Sequence, residues 1–261
     1  MTNPDGTNER NLVNLTEADL DTPVYRIYPL ERFEALLASR QDALLNPSKW
    51  PDKFENFFLS RTEVMDGVSG SAIPLTNLAE DWYGQCWSRQ EESDAMWRIY
   101  SPDAVAKPGV KVGTTIRKLF DNLKRAASPG IALYLQCFVG RLDYRSEAEI
   151  SDFMNGMTFT KAIMGGQGDI LAAMLCIKRD AFRHEDEVRL MFHDVARNRG
   201  DGGVFHLGVD PHFMFDEVVL DPRLDDAAKT DIETRLRAAG NRLPVRRSDL
   251  YRTPRFTIPF A

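Results

Sequence analysis

The stretch "RHEDEVRLMF" (183–192) runs from an acidic cluster directly into an apolar segment. Because successive side chains of a strand point to opposite faces, an extended conformation divides this stretch into two sets. The apolar set, which would face a core, is Val188, Leu190 and Phe192. Glu185, Glu187 and Arg189 would share the other face, where neighbouring carboxylates can bind one substrate and shift each other's pKa. The stretch therefore predicts a strand that presents a carboxylate pair to a cleft.

Two other interpretations of the acidic cluster remain open. It also fits an exposed, salt-bridged edge that contributes little to stability. A second E-x-E, at Glu147 and Glu149, is explained more simply as capping at a helix N-terminus. A metal site built from His184, Glu185 and Glu187 has no second histidine at matching spacing, and we predict that the chain holds no metal.

Composition places the chain among ordinary globular proteins. Its 261 residues are 43% hydrophobic and 28% charged, with a formal net charge of -6. This acidic balance argues against a general polyphosphate-binding surface. Because no apolar run reaches the roughly 18 residues of a membrane span and the N-terminus has no apolar signal core, we expect a cytoplasmic protein without membrane contact. The three cysteines, at 86, 137 and 176, form no C-x-x-C pair, so we expect buried structural thiols.

Hydrophobic periodicity predicts an α+β fold: one domain with a mixed or antiparallel sheet core and flanking helices. We expect residues 1–20 to be a flexible arm and residues 21–261 to form the domain. The predicted strands are 24–28, 81–88, 109–115, 131–144, 187–192, 203–209 and 217–222, with a short edge piece at 243–247. The predicted helices are 30–45, 94–100, one that starts at Thr115, one capped by Ser146 and Glu149, and 225–239. The pattern does not settle the structure of 165–179.

Several motifs, in order, resemble the bacterial domain-of-unknown-function family 2971. They are "VYRIY", "NPSKWPDKFEN", "YGQCWS" with "SDAMWRIYS", "YLQCFVGRLDY" and "KRDAFRHEDEVRLMF". The last of these follows the family pattern K-x-x-x-(F/W)-x-x-E-x-E-x-R. The likeness covers roughly residues 23–222, and the family's name implies no function.

A second set of residues resembles the ADP-ribosyltransferase superfamily of the R-S-E type. That superfamily has an arginine on its first strand, a serine on a middle strand and a late E-x-E. This chain offers Arg26 in "VYRIY", Ser88 in "QCWS", and Glu185 with Glu187 in "HEDEVRL". The middle motif departs from the frequent S-T-S, since the chain has Cys-Trp-Ser at 86–88. The resemblance implies an ADP-ribosyltransferase-like catalytic domain with NAD as its substrate.

The resemblance also implies a role for each residue. Cleavage of the nicotinamide–ribose bond develops positive charge on the ribose, which the carboxylate of Glu187 would stabilise. Ser88 would hydrogen-bond the same ribose and hold Glu187 in place. Arg26 would bind the phosphates or a ribose of NAD through its forked donors. Glu185 would orient or deprotonate the acceptor nucleophile.

Two aromatic residues after Ser88 have two interpretations. Trp97 and Tyr100 either stack on the nicotinamide or adenine of NAD, or form a core-facing pair. The leading hypothesis is an NAD-dependent mono-ADP-ribosyltransferase that acts on a protein or nucleic-acid acceptor. It would serve as a toxin or anti-phage effector, with an antitoxin as a further partner. The alternatives are a metal-dependent nuclease and a non-catalytic binding module.

Overall fold

A computed structural model describes residues 9–50, 63–65, 72–74, 80–127, 136–156, 168–197 and 199–257. The strands are β1 (Leu12–Val13), β2 (Pro23–Pro29), β3 (Gln41–Leu45), β4 (Glu63–Met65), β5 (Ala72–Pro74), β6 (Trp82–Ser88), β7 (Gly109–Thr115), β8 (Cys137–Arg141), β9 (Asp143–Arg145), β10 (Ile177–Arg179), β11 (Glu187–His193), β12 (Val204–Gly208), β13 (Val218–Leu220) and β14 (Val245–Arg247). The helices are α1 (Leu30–Ser39), α2 (Asp94–Tyr100), α3 (Ile116–Ala127), α4 (Glu147–Asn155), α5 (Asp169–Met174), α6 (Pro211–Met214) and α7 (Asp226–Ala238). Within these ranges no helix combines the length and apolar character that crossing a bilayer requires.

The main sheet is mixed, and the predicted α+β class is confirmed. Its strand order is β1-β8-β11-β6-β2-β7-β13-β14, while β3 pairs with both β6 and β12. The pairs β1–β8 and β13–β14 are parallel, and the other pairs in this sheet are antiparallel. A separate two-stranded parallel sheet joins β9 to β10. This small sheet lies close to β11, and its position matters for the candidate site.

The alternation of β11 confirms the prediction for 187–192. Val188, Leu190 and Phe192 are buried in the larger core cluster, together with the apolar stripe of α3. Met191 belongs instead to a second cluster on the other face of the sheet. The central strand is therefore covered on both faces, which is why its polar residues are buried as well.

The helix predicted for 30–45 is correct only as far as Ser39. Arg40 adopts a left-handed conformation with φ 57°, which ends α1. Residues 41–45 then form β3, which pairs with β12. Leu44 is fully buried on that strand. The position of Leu44 relative to the other apolar residues fits a helix and a strand equally well. The prediction from periodicity alone therefore made the helix too long.

Part of the segment predicted as a flexible arm packs against the domain in the structure; residues 1–8 lie outside the described ranges. Leu12 and Val13 pair with β8, next to β11. Leu20 is buried in the larger core cluster. Leu12 and Val13 are one adjacent apolar pair and Leu20 stands apart from it among polar residues, so they produce no periodic signal although Val13 and Leu20 are buried on folding.

The unsettled segment contains both element types. Gly168, with φ 97°, precedes α5, and Leu175 and Cys176 separate that helix from β10. The capping box predicted at Ser146 is confirmed, because its side chain and that of Glu149 each accept a hydrogen bond from the other residue's backbone N–H. Parts of the "NPSKWPDKFEN" motif (46–56), of the predicted strand 131–144 and of segment 165–179 fall outside the described residues.

Candidate active site

Three adjacent strands bring the R-S-E motifs to one end of the sheet. Ser88 on β6 lies directly opposite Glu187 on β11 in the antiparallel register. On its other side Ser88 pairs with Tyr25 on β2. Arg26 follows Tyr25 directly. Residues that are far apart in the sequence thus occupy one row across the sheet, or the position beside it.

The Arg26 side chain lies where β2 and β6 diverge. Its guanidinium carbon is 4.6 Å from the centre of the Tyr28 ring and 6.0 Å from that of Trp87. These distances allow cation–π attraction. Nη1 of Arg26 is buried and has no hydrogen-bond partner among the described residues. A buried donor without a partner is costly, so this nitrogen is suited to an oxygen atom supplied by a ligand.

Hydrogen bonds fix the two rings around Arg26. The Tyr28 hydroxyl donates to Oδ2 of Asp42 over 2.8 Å, and Nε2 of Gln85 donates to the same oxygen over 2.8 Å. The Trp87 indole donates to Oε1 of Gln85, also over 2.8 Å. Burial lowers the pKa of Arg26, but the oxygens of Tyr28 and Asp42 outweigh it and leave that pKa above its ordinary value. The guanidinium is therefore a fixed positive charge.

The resemblance implies that Ser88 holds Glu187 in place. The Ser88 hydroxyl, however, does not hydrogen-bond the Glu187 side chain. Its hydroxyl donates to the backbone carbonyl of Glu185 over 2.6 Å and accepts the backbone N–H of Gln90 over 3.0 Å. Ser88 is buried. Its hydroxyl thus ties β6 to the turn that precedes β11, and it acts on the position of Glu185.

Glu187 lies in a buried ion-pair network. Its Oε1 accepts a hydrogen bond from Nε of Arg189 at 2.7 Å, and its Oε2 accepts one from Nζ of Lys178 at 3.0 Å. Glu187 is 4% exposed and Arg189 is fully buried. Burial raises the pKa of Glu187, but the charges of Arg189 and Lys178, with hydrogen bonds from Arg189 and Cys86, outweigh it and lower that pKa to about 2.

Glu185 belongs to the same ion-pair network, but its backbone conformation differs from the predicted one. It ends a 3-10 helix, Asp180–Glu185, and the left-handed Asp186, with φ 38°, separates it from β11. The prediction that Glu185 alternates with Glu187 and Arg189 along an extended chain is therefore wrong. Its Oε2 nevertheless lies 2.5 Å from Nζ of Lys178, which also binds Glu187. The two carboxylates do face one space, and a lysine and Arg189 balance their charge, as burial requires.

Lys178 is the site residue to which sequence reasoning gave no role. The available signal was the lysine that opens the K-x-x-x-(F/W)-x-x-E-x-E-x-R pattern. In the structure the named side chains of that pattern meet, since Nζ of Lys178 also lies 5.0 Å from the centre of the Phe182 ring. The spacing mixes a strand, a 3-10 helix and a second strand. Neither a helical nor a strand period predicts that these side chains converge.

Trp50 covers the network from the loop after β3. Its ring centre lies 4.3 Å from the guanidinium carbon of Arg189. Gly84 on β6 makes room for this ring, because a Cβ atom there would lie 2.6 Å from Cζ2 of Trp50. The tryptophan of the N-P-x-x-(F/W) motif and the glycine of "YGQCWS" thus have one shared function, which is to shield Arg189.

Trp97 and Tyr100 are separated by the structure. Trp97 is 1% exposed and packs with Ile27 and Val219. Its indole donates to Oε1 of Glu92 over 2.8 Å. Trp97 therefore occupies a core position, in agreement with the interpretation that it faces the core and does not stack on NAD.

Tyr100, by contrast, is 41% exposed. Burial, followed by the charge of Glu185 and then that of Glu187 among other neighbours, raises the pKa of Tyr100 above its ordinary value. The Arg26 guanidinium also interacts electrostatically with Tyr100. Tyr100 is thus an accessible aromatic ring within electrostatic range of the arginine and of both carboxylates.

The residues of the nuclease alternative have other partners. Oδ1 of Asp186 accepts a hydrogen bond from Arg141 over 3.2 Å, and both Glu185 and Glu187 are paired with Lys178. Across the part of the chain that the structure describes, no three His, Cys, Asp or Glu side chains are grouped to hold a metal. Nothing in the described geometry favours metal chemistry at the acidic cluster.

No protein-family model matches the chain, and neither does any curated protein sequence. Distant structural likenesses were found to Thermus sp. 2.9 DarT. Its complex with NAD+ is 12% identical, with 87% of this chain and 96% of that chain covered and a TM-score of 0.37. The complex with ADP-ribosylated ssDNA is 12% identical, with 87% and 94% covered and a TM-score of 0.37. The complex with carba-NAD+ is 14% identical, with 89% and 96% covered and a TM-score of 0.35.

Proposed function

We propose that the protein is an NAD-dependent mono-ADP-ribosyltransferase. The observation that carries this proposal is the register that places Ser88 opposite Glu187 and beside Tyr25, with Arg26 next along β2. The R-S-E resemblance implies that these three motifs belong to one site, and their strands are neighbours, although strand alternation turns the Arg26 side chain to the sheet face opposite those of Tyr25 and Ser88. A sequence that matched the motif order by chance would have no reason to place them on three neighbouring strands.

Arg26 supplies the contact for the dinucleotide. Its buried Nη1 has no hydrogen-bond partner among the described residues, and its charge is fixed by the surrounding oxygens. A phosphate or ribose oxygen of NAD satisfies such a donor, and a guanidinium binds phosphate through two parallel hydrogen bonds. Tyr100, an accessible ring whose pKa responds to the charges of both carboxylates, would stack on a ring of the same ligand.

Glu187 supplies the negative charge that stabilises the developing ribosyl cation. Its low pKa keeps it ionised at neutral pH. Both of its oxygens accept hydrogen bonds from Arg189 or Lys178, so a ribose hydroxyl must replace or share one of these donors. We therefore infer that the Glu187 carboxylate is already ionised before NAD binds.

Glu185 is the carboxylate for the acceptor. Its side chain is more exposed than that of Glu187, 13% against 5%, so an incoming nucleophile reaches it first. The acceptor is a protein side chain or a nucleobase. A role as a toxin or anti-phage effector, neutralised by an antitoxin, follows from the resemblance and extends this proposal.

The test is release of nicotinamide from NAD. The purified protein is incubated with NAD alone, and separately with bacterial protein extract, single-stranded DNA or RNA, with and without a chelator. We expect wild-type protein to release nicotinamide, with or without chelator, and Glu187→Gln to release none. Absence of turnover above the Glu187→Gln level under every condition would sink the proposal. Nucleic-acid cleavage that needs no NAD and stops with chelator would establish the nuclease instead.

A further inference from the structure

We propose that Lys178 is a positioning residue that joins Glu185 and Glu187 into a single catalytic unit. This inference rests on the proposed transferase function and adds a residue to its machinery. Lys178 is 5% exposed, and its Nζ lies 2.5 Å from Oε2 of Glu185 and 3.0 Å from Oε2 of Glu187. One buried ammonium group thus contacts the carboxylate assigned to NAD cleavage and the one assigned to the acceptor.

The small parallel sheet delivers Lys178 to this position. Lys178 on β10 pairs in register with Tyr144 on β9. The Tyr144 hydroxyl accepts the backbone N–H of Glu187 over 2.9 Å, while Lys178 binds the carboxylate of the same residue. Two register partners of the small sheet therefore fix both the backbone and the side chain of Glu187. This explains why two three-residue strands outside the main sheet lie against β11.

A lysine suits this position for a physical reason. Two carboxylates that face one space repel each other, and without a cation between them the pKa of the pair rises. The ammonium group is a compact charge with three donors, which lets it contact two carboxylates at once. Arg189 contacts Glu187 through Nε at 2.7 Å and through Nη2 at 3.5 Å, and its Nη1 donates to the backbone carbonyl of Leu175 over 2.5 Å. Lys178 is thus the cation shared by both carboxylates.

Three variants test this role. Lys178→Met removes the charge and keeps much of the volume, and Lys178→Arg keeps the charge but changes its geometry. Lys124→Met is the matched control, because Lys124 also contacts a carboxylate, at 2.9 Å from Asp121, and a phenylalanine ring, at 4.8 Å from the centre of Phe120. Lys124 lies on α3, whose buried stripe packs against the opposite face of β11.

Two readouts are measured for each variant. The first is nicotinamide release across NAD concentration and pH, which separates kcat from KM. For Lys178→Met we expect kcat to fall by about 10- to 100-fold, with KM for NAD changed by less than about twofold, as when a supporting contact to a catalytic group is lost. The acidic limb of its pH–rate profile moves to higher pH. Lys178→Arg recovers part of kcat, and Lys124→Met matches wild type.

The second readout is the pH of half-unfolding in acid, followed by circular dichroism, which does not depend on turnover. A carboxylate with a lowered pKa stabilises the fold until the pH falls through that pKa, so losing Lys178 moves acid unfolding to higher pH. We expect this shift in Lys178→Met and only a small one in Lys178→Arg and Lys124→Met.

The outcomes separate the two proposals. Wild-type kcat and an unmoved pH–rate profile in Lys178→Met overturn the positioning role while the transferase stands. An equal loss of kcat in Lys124→Met overturns it too, because the effect is then one of general stability. If wild-type protein releases no nicotinamide, the transferase fails; a shifted acid midpoint then makes Lys178 a purely structural cation.

Discussion

Ser88 and Glu187 face each other across β6 and β11, yet the Ser88 hydroxyl bypasses the Glu187 carboxylate. It donates instead to the backbone carbonyl of Glu185, 2.6 Å away. The serine therefore holds the turn that brings Glu185 to Lys178, while Lys178, Arg189 and Cys86 provide the hydrogen bonds to Glu187. Ser88 therefore affects the Glu187 carboxylate only indirectly, although it is expected to hold it.

Substitution of Ser88 tests this indirect role. Ser88→Ala leaves the Glu185 carbonyl without its donor, so we expect a loss of about 1–2 kcal/mol in the free energy of unfolding. We also expect a lower kcat for nicotinamide release. Ser248→Ala is the control, since Ser248 is equally buried and accepts the N–H two residues on over 3.0 Å, as Ser88 does from Gln90. Equal turnover in both variants would exclude a role for Ser88 in the site.

Arg26→Lys tests the dinucleotide contact. Lysine keeps the charge but loses the second donor of the fork, so KM for NAD should rise by about tenfold, equivalent to one charged hydrogen bond of about 1.5 kcal/mol. Titration with NAD and measurement of nicotinamide release provide the values. Arg117→Lys is the matched control, because that arginine binds Glu17 and Asp21 on the surface. An unchanged KM in Arg26→Lys would remove Arg26 from the binding site.

Acid stability should depend on Glu187. Its folded-state pKa of about 2 is below the ordinary value of 4.5, so its contribution to stability is complete above pH 4.5 and is lost as pH falls toward 2. Denaturant midpoints measured between pH 5 and pH 2.5 should fall for wild type. Glu187→Gln should be less stable at pH 7 by about 3–5 kcal/mol, because two buried cations lose a partner. Its midpoint should then change less with pH; a slope equal to that of wild type would contradict the assignment.

Gly84→Ala should disturb the cover over Arg189. The new methyl group would lie 2.6 Å from Cζ2 of Trp50, so the tryptophan must move. We expect a loss of about 1–3 kcal/mol from this overpacking, with reduced turnover. Gly208→Ala on β12 is the control, because a Cβ there meets no atom within 4 Å. Equal stability of the two variants, measured by denaturant unfolding, would show that Trp50 is not held by Gly84.

Much of the sheet was predictable because its strands have strong local patterns. The alternation in 187–192 predicts the core face of β11, and the structure confirms it. Local patterns failed where a single backbone angle decides the outcome. Arg40 and Asp186 both adopt left-handed conformations, with φ of 57° and 38°, although neither is a glycine. The first ends α1 early, and the second removes Glu185 from the strand.

The site itself was predictable only in part. The resemblance named Arg26, Ser88 and Glu187, and strand pairing places Ser88 opposite Glu187 and next to Tyr25, the residue before Arg26. Lys178 had no predicted role, because its contacts with Glu185 and Glu187 depend on how β10 docks beside β11. Such docking is a tertiary event, and no periodicity in the sequence encodes it.

The sheet is joined at its centre by a single residue pair. Within the described strands, β6 and β11 share seven register pairs and β2 and β7 share seven, whereas β2 and β6 share only Tyr25 with Ser88. The two halves are therefore expected to open as separate cooperative units. Amide hydrogens of β2 that point toward β6 should exchange with deuterium faster than those that point toward β7. Ser88 lies at that junction. The residue whose hydroxyl holds the turn at Glu185 is therefore also the place where we expect the sheet to open first.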